Sequence, residues 1–433
     1  MTPGDELSIT VAAATDGARP ALIDDDGVLD FATAAAAAAA ISALDDRAAS
    51  RLRPLVATSG RETILAIWAA IERRVPLGLL HARATAVERA ALTGRLAAAA
   101  VPADTLAVVF TSGSSGRPKG VVLSRAAAHA AAALGAAHLG WRDDDRWLLA
   151  LPLAHVGGLA VVVRGLVARR AVIVTDGGVD AAPLAAAITR HRATLASLVP
   201  AQLDALLARP GWHSPPHLRA ILLGGAAAPA ALVERARARG VPVLTTYGLS
   251  ETFGQVATAS LVTPAPPGAV GVPLAGVTIT AGTAAAPAPI VVDSPAGMTG
   301  YLDEAQAPPP GPFTTSDLGY LADGWLHVVG RVDDVFITGG ENVHPAAVEA
   351  ALLACDGVIA ACAVGLPDPR WGQIVVAAIV ASADHDPART LAHAAARLPP
   401  HARPRRLFAL PALPLTANGK LDRRRVAAEL ATR

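Results

Sequence analysis

The chain has 433 residues, a formal net charge of +1 and two cysteines, Cys355 and Cys362. Its length exceeds what one hydrophobic core spans, so at least two domains are expected. The balanced charge gives no basic field for nucleic acid, the 52% hydrophobic content argues against disorder, and two cysteines form neither a disulfide framework nor a metal set. Lys and Arg together number 37, yet only Lys119 and Lys420 are lysine. With so much Ala, Gly and Pro, this bias suggests that Arg stands wherever either cation would serve. A surviving Lys then marks a position that needs a compact ammonium.

Residues 1–10 carry Asp5 and Glu6 where a secretory signal would be basic and then apolar, so a soluble cytoplasmic protein is expected. Residues 63–73 read as a helix, 106–110 as a short buried strand, and 124–139 as a helix with Ser124 near its N-cap. The apolar stretch 147–163 comes nearest to a membrane span. Pro152, His155 and Gly157-Gly158 interrupt it, so it reads as buried core without membrane insertion. Strand-like runs at 171–174, 195–199, 220–223 and 243–247 alternate with helical patterns at 183–191, 201–207 and 229–239. That alternation predicts an α/β fold with largely parallel sheets. Residues 263–289, rich in Gly, Pro and Val, read as a small β region, and 308–312 as a rigid turn. After residues 330–334 a second compact α/β pattern begins. The expected organisation is a large N-terminal domain of several subdomains, residues 1–331, and a small α+β domain, residues 332–433.

The sharpest local feature is Thr111-Ser-Gly-Ser-Ser-Gly-Arg-Pro-Lys-Gly120, which follows a strand and is expected to precede a helix. Backbone N–H groups and the hydroxyls of Thr111, Ser112, Ser114 and Ser115 can surround phosphate oxygens. Gly113 and Gly116 let the chain curl, and Lys119 adds a point charge. It is not a Walker A loop, because no Gly-Lys-Ser/Thr occurs at the required spacing.

With this loop the chain resembles the adenylate-forming acyl-CoA synthetase superfamily, and further segments follow in that family's order. They are Leu151-Pro-Leu-Ala-His155, Gly224-Gly225-Ala226, Tyr247-Gly248-Leu-Ser250-Glu251-Thr, Gly297-Met-Thr-Gly-Tyr301, Ser316-Asp317, Gly330-Arg331 through Gly339-Gly340-Glu-Asn342, and Asn418-Gly-Lys420. The resemblance covers residue 105 to the end. It implies that a carboxylate attacks the α-phosphorus of ATP, giving acyl-AMP and pyrophosphate, and that the thiol of CoA then expels AMP. The same resemblance implies that Lys420 bridges the carboxylate and the α-phosphate. The 111–119 loop would hold the outer phosphates, and Glu251 would hold Mg²⁺. Gly224, Gly225, Ala226 and Tyr247 would lie against the adenine, Gly248 and Ser250 would also bind ATP or AMP, Asp317 would bind the ribose, Arg331 the ribose or phosphate oxygens, and Asp333 would be the hinge of a mobile C-terminal domain. Gly339, Gly340 and Trp371 would serve CoA. Two departures are visible. The loop begins early, so the N-terminal region is shorter than usual, and Ser316 replaces the customary Gly.

Three segments, 151–160 with Arg164, 196–203 with Ser197, and 222–229, look like those of the o-succinylbenzoate–CoA ligases of menaquinone biosynthesis. That resemblance implies an aryl dicarboxylic acid substrate, with His155 shaping the acid pocket, Arg164 meeting the carboxylate that does not react and Ser197 helping to hold the same substrate. A homodimer is the expected assembly. Each residue has a plainer reading. Lys420 stands beside Arg423, Arg424 and Arg425 and would pass for a tail cation. Glu251 would pass for a first-turn acid, His155 and Trp371 for core residues, and Arg164 for a snorkelling cation. The alternatives kept open are a general aryl- or acyl-CoA ligase, an acyl-AMP ligase loading a separate carrier protein, and a catalytically silent ATP-binding protein.

Overall fold

The computed structural model describes residues 5–42, 51–111, 118–175, 178, 180–260, 262–263, 265–302, 311–415 and 421–433. Contacts divide the chain into two compact units: residues 1–279, 292–313 and 324–326 form the first, and 280–291, 314–323 and 327–433 the second.

A nine-stranded sheet dominates the first unit. Its parallel core runs in the order Val243–Leu249, Ala220–Leu223, Leu195–Leu198, Arg146–Leu149, Ala171–Val174, Pro20–Asp24. Antiparallel strands close both edges: Gly254–Thr258 and Val272–Pro273 on one side, Gly27–Asp30 on the other. The short core strands Ala171–Val174 and Ala220–Leu223 are apolar throughout, AVIV and AILL, because neither face meets water. Leu148, Ile173, Leu198 and Ile221 share one cluster with Ile188 and Leu203 from the helices Ala181–Arg190 and Pro200–Ala208. The 147–163 stretch is split between the strand Arg146–Leu149 and the helix Val156–Ala168, and most of its residues are buried. Among the described residues no helix is long and apolar enough to cross a membrane.

Strand order fixes where a ligand can enter. Arg146–Leu149 lies between Ala171–Val174 and Leu195–Leu198, so consecutive connections leave it on opposite sides. Such a switch opens a crevice at the carboxyl ends of the strands.

A second sheet in the same unit has the order Gly300–Tyr301, Lys119–Ser124, Thr105–Thr111, Leu77–His81, Arg53–Ala57. Here the structure departs from expectation. The phosphate loop does not run into a helix but joins two antiparallel strands, with Thr111 paired to Lys119. Val121, Val122 and Leu123 favour an extended, fully buried run. The helix Arg125–Leu139 starts only afterwards, at the N-cap where the Ser124 hydroxyl accepts from the Ala127 N–H. The segment is therefore followed by a strand rather than directly by a helix N-terminus.

The second unit contains most of a four-stranded sheet, in the order Thr278–Thr280, Ala288–Asp293, Phe313–Ala322, Trp325–Arg331. It also contains a three-layer sandwich. Val358–Asp368 and Gly372–Ala381 pair antiparallel, and Arg406–Ala409 adds a parallel strand. Alternation along the first strand sends Ala361 and Ala363 to a cluster with helices Pro345–Leu353 and Pro387–Arg397. Cys362, Val364 and Leu366 point the other way, toward helix Arg423–Ala431. Both cysteines are buried and free, and burial pushes the Cys362 thiol up to about 12, so it is not a nucleophile at neutral pH.

Candidate active site

The sequence-predicted residues of the first unit gather at strand ends. Leu151–His155 follows Arg146–Leu149, and Gly224-Gly225-Ala226 follows Ala220–Leu223. Ser250-Glu251 follows Val243–Leu249, and Ser197 lies one residue before its strand ends. Gly225 has φ +77°, and a Cβ on Gly224 would come within 2.8 Å of the Thr246 methyl, so the turn after its strand requires glycine. Tyr247 is buried, whereas Ala226 is exposed. Gly248 lies so close to the neighbouring strand that an added Cβ would stand 2.0 Å from the Gly254 carbonyl oxygen.

Arg164 is the most unusual charge in the unit. It sits in the middle of helix Val156–Ala168, is 4% exposed, and has its guanidinium 5.4 Å from the Trp147 ring centroid. Gly135 makes room for it, since a Cβ there would lie 3.0 Å from Nε. Among the described residues no carboxylate pairs with Arg164, and its buried Nε has no hydrogen-bond partner. Burial lowers its pKa to about 10. The Trp147 indole N–H donates to the buried Ser197 Oγ at 3.1 Å. Trp147 thus joins the two residues that sequence reading placed around an acid, and nothing in the sequence singled it out. His155 caps the N-terminus of the Arg164 helix. Its ring stands 5.2 Å from that of His81, whose pKa lies below the usual histidine range because of burial and nearby Arg83.

On the phosphate side, Thr111 and Lys119 face each other at the base of the loop. Ser112, Gly113, Ser114, Ser115 and Gly116 lie outside the described residues. Glu251 sits in a single 3-10 turn, Ser250–Thr252. Its Oε1 accepts from the Tyr301 hydroxyl at 3.0 Å, and its carbonyl from the Met298 N–H at 2.7 Å. The Lys119 ammonium lies 4.9 Å from the Tyr301 ring centroid. Among the described residues no group of three or more His, Cys, Asp or Glu could cage a metal. One carboxylate with a free oxygen instead suits Mg²⁺, which keeps waters and takes further oxygens from phosphates.

The second unit brings together a different set. Arg331 Nη1 is 3.2 Å from Asp317 Oδ1, and its Nη2 is 3.1 Å from Asp333 Oδ2. Burial works against this guanidinium's charge, but Asp317 and Asp333 hold its pKa above the usual arginine value. Gly339 and Gly340, φ +57° and +88°, form the two-residue turn between Phe336–Thr338 and Glu341–Val343, a geometry that favours glycine. Trp371 closes on this turn: its carbonyl accepts from the Gly339 N–H at 2.9 Å, and a Cβ on Gly339 would be 2.7 Å from its ring. Arg370 and Arg405 stand 5.1 and 5.0 Å from the Trp371 ring centroid, and no motif singled out Arg405. Lys420 lies outside the described residues, but the stems around it are fixed by a Leu415–Leu421 bridge and an Asp422 N–H to Pro414 carbonyl bond. Next to that stem, Arg423 bonds Glu349 at 2.9 Å and Asp334 at 3.2 Å.

The AMP-binding enzyme family matches residues 17–302, and the AMP-binding enzyme C-terminal domain matches residues 347–420. The 2-succinylbenzoate–CoA ligase of Bacillus velezensis is 37% identical over 335 residues, spanning 75% of this chain and 68% of that protein. A ligase of the same name from Bacillus cereus is 35% identical over 339 residues, spanning 74% and 69%. Among solved structures, the o-succinylbenzoate CoA synthetase (MenE) of Bacillus subtilis with its acyl-adenylate intermediate OSB-AMP superposes with a TM-score of 0.84. Identity to that protein is 28%, over 96% of this chain and 97% of that one. The same B. subtilis protein with ATP and magnesium ion gives a TM-score of 0.83 at 27% identity, over 97% and 98%. The chain belongs to the AMP-binding enzyme family, with 2-succinylbenzoate–CoA ligases among its relatives.

Proposed function

We propose that this chain is an ATP-dependent acid–CoA ligase that converts o-succinylbenzoate to its acyl-AMP and then to o-succinylbenzoyl-CoA, in the cytoplasm. The observation that carries the acid specificity is Arg164. A guanidinium buried beside Trp147, whose indole bonds Ser197, and with no carboxylate partner among the described residues, is costly unless a ligand brings one. A dicarboxylic acid does so with the group that does not react. His155 lines the same pocket.

In the first half-reaction both reactants are anionic, so the protein must supply alignment and positive charge rather than a nucleophile. Lys420 holds the attacking carboxylate against the α-phosphate. Thr111, Ser112, Gly113, Ser114, Ser115, Gly116 and Lys119 cradle the outer phosphates as the P–O bond to pyrophosphate breaks. Glu251 holds Mg²⁺, which when bound neutralises phosphate charge. Tyr247, Gly248, Ser250 and the 224–226 turn receive the adenine, and Asp317 with Arg331 the ribose. In the second half the thiol loses its proton, its sulfur bonds the acyl carbon, and AMP leaves. Rotation about Asp333, at the 331/332 border, withdraws Lys420 and admits CoA. Gly339 and Gly340 allow the pantetheine arm close approach, and Trp371 with Arg370 and Arg405 offers a stacking face and cations for the nucleotide.

The test is pyrophosphate release and thioester formation with a panel of acids, with and without CoA. Comparable activity on benzoate or a plain fatty acid would refute the specificity, and acyl transfer only to a carrier protein would refute the CoA step.

A further inference from the structure

Tyr301 touches both charges assigned to the outer phosphates, yet it belongs to a segment far away in the chain. Strand Gly300–Tyr301 pairs antiparallel with Lys119–Ser124, with Tyr301 opposite Val121. Lys119 and Val121 are two apart on that strand, so their side chains share a face. From there the phenol reaches Glu251 Oε1 at 3.0 Å, while its ring lies 4.9 Å from the Lys119 ammonium. Among the described residues Lys119 and Glu251 form no ion pair. An ammonium and a carboxylate this near one aromatic ring would otherwise pair, and each would withdraw the other from a phosphate or its metal. The hydroxyl also occupies one carboxylate oxygen and leaves the other open.

We propose that Tyr301 is a positioning residue for the ATP phosphates: its ring keeps Lys119 and Glu251 apart, and its hydroxyl aims Glu251 at Mg²⁺. This rests on the reading of Glu251 and Lys119 given above. Tyr301→Phe keeps the ring and removes the hydroxyl, whereas Tyr301→Leu removes both. Two readouts are needed: the rise in Tm that ATP gives with and without Mg²⁺, and the Mg²⁺ concentration for half-maximal pyrophosphate release. In Tyr301→Phe the Mg²⁺-dependent part of the Tm rise shrinks, and the half-maximal Mg²⁺ rises about tenfold, as expected for losing a hydrogen bond to a charged group. The Tm without nucleotide and the KM for the acid stay at wild-type values. Tyr301→Leu additionally raises the KM for ATP at saturating Mg²⁺. A Mg²⁺ dependence within twofold of wild type in Tyr301→Phe overturns the proposal if Glu251→Gln shifts it. If Glu251→Gln does not shift it either, the phosphate-site reading falls and the proposal with it.

Discussion

Replacing Arg164 by Met separates a ligand-binding charge from a structural one. Burial brings the Arg164 pKa down from the ordinary arginine range to about 10, and one pKa unit corresponds to about 1.4 kcal/mol, so the charge costs the fold on the order of 3 kcal/mol. The sign is fixed by which form is disfavoured. A cation whose folded pKa lies below its unfolded one destabilises at every pH below about 10, and the cost fades only as pH rises above that toward the ordinary arginine range. At pH 7.5 the whole penalty is present. The stacking on Trp147 offsets roughly 1–2 kcal/mol of it. Arg164→Met, which fills the space with an apolar chain of similar length, should therefore leave the stability without ligand unchanged or raise it by about 1–2 kcal/mol, seen as an equal or higher Tm. The KM for o-succinylbenzoate should rise about a hundredfold, since a ligand carboxylate no longer meets a desolvated cation, at about 1.4 kcal/mol per decade. The KM for ATP should not move, and neither should that for an analogue with hydrogen in place of the carboxylate that does not react. Steady-state kinetics with both acids and a thermal melt decide the matter. A lowered Tm with acid KM within threefold of wild type would show that Arg164 serves packing alone.

Three further outcomes follow from the site. Lys420→Arg keeps the charge but not the compact ammonium, and should slow pyrophosphate release by at least tenfold while the thioester step from preformed acyl-AMP is nearly normal; near-normal adenylation would reduce the scarcity of lysine to codon bias. Asp333→Pro fixes φ at the proposed hinge, and should slow thioester formation while leaving adenylation within a few-fold; equal loss of both halves would contradict a hinge at this residue. Gly339→Ala puts a Cβ 2.7 Å from Trp371 at φ +57°, and should raise the KM for CoA without changing acid-dependent pyrophosphate release, as measured with each substrate varied separately.

The parallel core was legible because its strands are continuous apolar runs between capped helices, and Ser124, expected near an N-cap, is one. The strand Lys119–Ser124 was not. Its apolar residues stand directly between a Gly/Ser loop and a helix cap, so a loop running straight into the helix satisfied the same pattern. Site residues carried by ordered local motifs, such as Glu251, Asp317 and Arg331, could be read as candidates. Trp147 and Arg405 could not, and Tyr301 ended a family segment without a role, because what makes the three relevant is strand order. Trp147 meets Ser197 only because their strands are neighbours in the sheet, and Tyr301 reaches Glu251 from a strand added at the edge of the other sheet. No periodicity in the chain encodes such adjacency.

If Arg164 meets the acid as proposed, its contact with Trp147 makes that site self-reporting. An indole stacked beneath a guanidinium and bonded to a hydroxyl emits according to the local field, and a second ring, Trp141, lies 5.6 Å away to share its excitation. A carboxylate arriving at Arg164 reverses much of that field. Intrinsic fluorescence can then follow occupancy of the pocket before any bond to phosphorus is made.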